Sequence, residues 1–82
     1  MGEIFLSVSE RLIAEALRAE DAAHPDVEFG SYPRFDEGAP HRTRLTIEGR
    51  DQQAVQHAFN RLKTLIEPAW IVREDPPTVR LT

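Results

Sequence analysis

The residues that could do chemistry in this chain are few and scattered. Its three histidines, His24, His41 and His57, follow no metal-ligand spacing. There is no cysteine, so neither a thiolate metal site nor a disulfide framework can form. A nucleophile would have to be a hydroxyl. Ser7 and Ser9 precede an apolar-periodic run and read as cap and cap neighbour, Ser31 reads as a turn residue, and no G-x-S-x-G elbow is present. Asp36 and Glu37, with Asp26 or Glu28, form a carboxylate-rich stretch that reads as a solvated turn. No G-x-G-x-x-G and no Walker loop occurs. We therefore assign no catalytic and no metal-binding residue.

One segment stands out for recognition rather than reaction. Residues 24–38 read HPDVEFGSYPRFDEG. Val27 and Phe29 alternate as in a strand, and Gly30, Ser31, Tyr32 and Pro33 then punctuate it. A glycine lets a strand leave its sheet or approach another backbone closely. A tyrosine offers an amphipathic ring, and a proline fixes the exit direction. These four residues form the candidate ligand- or partner-docking site, with a plain turn as the alternative. Gly30, Gly38 and Gly49 are each expected at chain reversals where φ is positive.

The elements that must position this segment follow from periodicity. Ile4, Leu6 and Val8 alternate with Glu3, Phe5 and Ser7, a strand pattern. Ser7 and Glu10 have capping-box spacing, which predicts a helix from there. Its stripe is Leu12, Ile13, Ala16 and Leu17, extended by Ala19, Ala22 and Ala23, and His24-Pro25 ends it. After the Val27–Phe29 strand comes the turn composition Asp36-Glu37-Gly38. Thr43, Leu45 and Ile47 then alternate with Arg42, Arg44, Thr46 and Glu48, a strand with one wet face. Asp51 is placed as N-cap of a second helix. That helix carries the clearest stripe: Ala54, Val55, Ala58, Phe59, Leu62, Leu65 and Ile66. Pro68 stops it, and residues 69–72 read as a short strand.

The order β-α-β-β-α-β predicts an α+β two-layer sandwich of ferredoxin-like type, with a KH-like arrangement as the alternative. The 82 residues allow a single small domain, residues 1–75, with 76–82 as tail or edge strand. The absence of an apolar membrane span or a signal-peptide pattern, together with the lack of cysteine, leads us to expect a cytoplasmic protein with no membrane partner. The net charge of -4, with signs interspersed, gives no reason to expect generic nucleic-acid binding. The wet face of the third strand has no aromatic residue for base stacking, and no G-x-x-G loop is present. Arg42 and Arg44 read as part of a solvated strand face, with phosphate contact as the alternative.

With these elements in place, HPDVEFGSYP, the strand TRLTIEGRD and the helix QQAVQHAFNRLKTLI together resemble one family. The segment is similar to the C-terminal part of the CinA-like molybdopterin-binding proteins (the competence/damage-inducible protein A group) and to the matching part of eukaryotic FAD synthase. The resemblance covers about residues 3–72, with Gly30-Ser31-Tyr32-Pro33 as its most specific element. In that family a MoaB/Mog-type nucleotide-binding domain comes first and holds the nucleotide site. Nucleotide pyrophosphatase-type activity belongs to that domain, which this sequence lacks, so no site residue is carried over. The resemblance implies an accessory or interaction domain that is not catalytic alone and has no cofactor of its own. It implies molybdopterin or a nucleotide for the full-length parent, and a MoaB/Mog-type domain as partner in the same chain or in trans. Two rival readings are a small-ligand regulatory module working as a homo-oligomer and a KH-type nucleic-acid module.

Overall fold

The computed structural model describes residues 1–34 and 38–77. Four strands are formed: β1 Gly2–Leu6, β2 Val27–Pro33, β3 Thr43–Gly49 and β4 Ile71–Asp75. Two helices, α1 Ala14–Ala23 and α2 Gln52–Leu65, cross between them. The sheet order is β2-β3-β1-β4 and every neighbouring pair is antiparallel. This is a two-layer α+β sandwich of ferredoxin-like type. The segment 78–82, expected as tail or edge strand, lies outside the described residues, as do Asp36 and Glu37.

The core is the layer between α2 and the two central strands. Ile4 and Leu6 of β1 and Leu45 and Ile47 of β3 are fully buried beneath Val55, Ala58, Phe59 and Leu62. Val27 and Ile66 close its ends. The alternation in β1 and β3 places these side chains on one face because successive strand residues point to opposite sides. Asp51 caps α2 as its sequence position predicts, its carboxylate accepting from the backbone N–H of Gln53 (2.9 Å) and Ala54 (3.3 Å). Gly2 lies buried on the same face of β1. A Cβ there would sit 2.7 Å from Phe59 Cδ2 and 3.0 Å from Pro77, so the bare backbone makes room for the Phe59 ring.

The first helix departs from its prediction. Ser7 does not cap it; both its N–H and its hydroxyl donate to the carbonyl of Trp70. Ser9 instead accepts from Arg11 N–H and opens a 3₁₀ turn, Glu10–Leu12, so α1 begins only at Ala14. The turn rotates Leu12 outward, leaving it 59% exposed rather than in the core. Ile13 is buried, while Leu17 only half-covers the core edge. Ala16 is half-buried, and Ala19, Ala22 and Ala23 are exposed. The buried residue of α1 is Glu20, 3% exposed, whose carboxylate meets Arg61 Nε of α2 at 3.1 Å and His24 Nε2 at 3.2 Å. A carboxylate that deep requires such partners, because an unpaired buried charge is strongly unfavourable. Two further expectations are corrected. Leu65 is exposed at the end of α2, and Ala69 and Trp70 belong to a 3₁₀ turn, so β4 starts at Ile71.

Phe59 is central to this layer, so Phe59→Ala is expected to lower the unfolding free energy by about 3–5 kcal/mol. Urea denaturation checks this. An unchanged midpoint would remove Phe59 from the core.

Candidate functional site on the open sheet face

The helices cover one face of the sheet, and the other face is open. On it, backbone register brings four residues from four strands into one row. Tyr32 of β2 lies opposite Arg44 of β3, Arg44 opposite Phe5 of β1, and Phe5 opposite Arg73 of β4. An arginine lies against an aromatic ring at each end of the row. The Arg44 guanidinium lies 5.5 Å from the Tyr32 ring centroid, and that of Arg73 lies 5.5 Å from the Phe5 ring. His41 meets the Phe5 ring edge-on, with centroids 4.8 Å apart. Arginine over an aromatic face is favourable because the ring quadrupole presents negative charge there. Arg44 also pairs with Glu3, and Arg73 with Asp75 at 3.2 Å.

The Gly30–Pro33 segment is not a turn beyond a strand. All four residues continue β2 and pair in register with Thr46, Leu45, Arg44 and Thr43 of β3. Arg34 N–H extends the ladder to the carbonyl of Arg42 at 2.8 Å. Among the described residues, positive φ occurs only at Gly38, at 81° in the hairpin; Gly30 and Gly49 do not need it. Gly30 serves a different purpose. A Cβ there would come within 2.5 Å of Thr46 Oγ1 and 2.9 Å of Tyr32 Cε2. Tyr32 shares the face of Gly30, and its ring folds back along the strand over the glycine. The ring keeps 53% exposure and covers the gap that a side chain would fill. Ser31 faces the helix layer with its hydroxyl buried and without a partner, and Pro33 is exposed at the strand end.

The histidines behave differently from one another. His24 and His57 come together across α1 and α2, with rings 5.5 Å apart, and His24 holds Glu20. His57 is exposed, as its helix position suggests. Among the described residues no group of three or more His, Cys, Asp or Glu could hold a metal ion. Asp26 and Glu28 are exposed at the far end of the sheet from Tyr32. No hydroxyl, base and oxyanion donor converge on the face described above.

Sequence reasoning identified Tyr32 but missed Phe5, Arg73 and His41 as its neighbours. The wet positions of β3 carry no aromatic. The face gathers its two aromatics from β1 and β2. Phe5 could have been found from its alternation with Ile4 and Leu6, but its companions depend on strand order.

Fold and site together describe a small α+β module with one uncovered, aromatic- and arginine-bearing sheet face. The family model of the FAD synthase middle domain matches residues 1–75, and the chain belongs to that family. No curated protein and no solved structure matches the chain.

The Tyr32–Gly30 contact makes a signed prediction. Replacing glycine by alanine at a strain-free position stabilises by about 0.4–1 kcal/mol through the unfolded chain. Here Gly30→Ala is expected to destabilise by about 1–3 kcal/mol, as overpacking does, and to shift the Tyr32 ring resonances. Stabilisation with unmoved ring signals would show that the ring does not occupy that space.

Proposed function

We propose that this chain is a non-catalytic accessory module of a FAD synthase-type protein, and that the Tyr32 end of its open sheet face docks onto a neighbouring domain. The observation that carries the reading is Tyr32 itself: more than half exposed, lying over Gly30 and beside Arg44 on a face that neither α1 nor α2 covers. Rigid tyrosines with apolar bodies and polar tips are efficient interface anchors, because little side-chain entropy is lost when they are covered. The resemblance to CinA-like proteins extends the reading. The partner would be a MoaB/Mog-type domain, in the same chain or in trans, and molybdopterin or nucleotide chemistry would reside there. Gly30 and Pro33 then act in support, Gly30 by seating the ring and Pro33 by directing the chain out of β2. Ser31, turned toward the helices, has no part in the contact.

The acidic residues of the same face argue against a nucleic-acid surface. Glu3, Glu28, Glu48 and Asp75 lie on it, and each arginine of the row is already paired with one of them. A polyanion gains affinity by neutralising phosphates with free cations, and this face offers few.

Tyr32→Ala is expected to change stability by no more than about 1 kcal/mol, the size of one cross-strand pair. It is expected to weaken association with a MoaB/Mog-type domain added in trans by about 2 kcal/mol, roughly thirtyfold. Denaturation and calorimetric titration of one variant measure both quantities. Unchanged association would end the docking assignment. The chain alone is also expected not to hydrolyse FAD or ADP-ribose with any divalent metal. Turnover that co-purifies with it and scales with its concentration would overturn the non-catalytic reading.

A further inference from the structure

The two edges of the sheet are unlike. β4 has five residues, its pairing with β1 is irregular between Phe5 and Leu6, and Pro76-Pro77 follow it. Shortness, irregular pairing and proline are the common protections of an edge strand. β2 runs seven residues, Val27–Pro33, in unbroken register with β3, and its proline comes only at the last position. Alternation decides which of its backbone groups are used. Beyond its end, Arg34 N–H donates to the Arg42 carbonyl in the same register, and at its start Val27 N–H turns away to the His24 carbonyl. The N–H and C=O groups of Glu28, Gly30 and Tyr32 therefore point into the sheet, and those of Phe29 and Ser31 point out of it. Among the described residues, Phe29 and Ser31 make no backbone hydrogen bond outside the sheet.

We infer that two copies of this chain join edge to edge through β2, antiparallel about a twofold axis at Gly30. Such pairing is isologous and adds strands to an existing sheet. Three registers overlap the outward groups most fully, with the axis at Phe29, Gly30 or Ser31. An axis at Phe29 sets the Ser31 carbonyl against the partner's Val27, whose N–H is held by a carbonyl of its own chain. An axis at Ser31 sets the Phe29 carbonyl against the partner's Pro33, which has no N–H. With the axis at Gly30, Phe29 exchanges both bonds with the partner's Ser31, and Ser31 with the partner's Phe29. All four outward groups of each copy are then satisfied. The same register matches charge. Tyr32 falls opposite the partner's Glu28, and that glutamate lies opposite the partner's Glu48. The Tyr32–Arg44–Phe5–Arg73 row of one copy thus runs on into the acidic row of the other. Glycine at the axis leaves room for the two Tyr32 rings, each lying over its own Gly30. Both open faces end on the same side of an eight-stranded sheet, so the pairing does not depend on the docking assigned above.

The test begins with sedimentation equilibrium over a concentration series, where the mass is expected to rise reversibly from 9.3 kDa to twice that value. In a mixture of ¹³C-labelled and unlabelled chain, isotope-filtered NOEs are expected between the Gly30 Hα atoms of the two copies. They are also expected between Glu28 Hα and the partner's Tyr32 Hα, the close contacts of non-hydrogen-bonded pairs. Ser31→Pro removes an outward N–H and no ladder bond within the chain, a change that an edge strand accepts. It should keep a dispersed spectrum and weaken dimerisation by about tenfold or more. A mass that stays at 9.3 kDa at millimolar concentration would overturn the inference. So would a dimer that folded Ser31→Pro leaves intact, or intermolecular NOEs that join other segments. Those NOEs are read on the unsubstituted chain and decide the matter even where Ser31→Pro fails to fold.

Discussion

The structure depends on one layer of contact: the stripe of α2 pressed onto β1 and β3. A chain of 82 residues has material for a single core, and nearly all of it lies here. Phe59 is the largest side chain in that layer, and it fits only because β1 presents the bare backbone of Gly2 beneath it. The two strands under α2 are the central ones, so their inner residues are fully buried, while those of β2 and β4 are covered less completely. Helix α1 is attached more sparingly. Its apolar contribution is small, and the buried Glu20 carboxylate links it to α2 through Arg61 while pairing with His24 at the end of α1 itself. Lys63 and Glu74 tie the other flank of α2 to β4 at 2.9 Å.

Because a single layer suffices to hold the fold, the second face of the sheet is free for other uses. Antiparallel sheets tolerate a wet face, and this one is not uniformly polar. Register places acids in the rows nearer one end and the aromatic–arginine row at the other.

The chain belongs to the FAD synthase middle-domain family. The Gly30-Ser31-Tyr32-Pro33 run that first suggested a related family takes on a structural meaning here. Its glycine and tyrosine are partners on one face of an edge strand, two residues apart, each accounting for the presence of the other.

The sequence alone determined the element order, the ferredoxin-like architecture and most of the core. Period-two alternation in β1 and β3 and the near-continuous stripe of α2 are local signals, and burial of an apolar face leaves them little choice. It also marked Asp51 as a cap, read from neighbours within a few residues. The tertiary structure decided what depends on distant partners. Ser7 had two uses available, and the Trp70 carbonyl claimed it, which delayed α1 and turned Leu12 outward. Glu20 is buried because α2 brings Arg61 to it, a pairing across 41 positions that no periodicity announces. The row Tyr32–Arg44–Phe5–Arg73 exists only once strand order and register are set. It draws its residues from four strands, and their convergence is a property of the sheet rather than of any one stretch of chain.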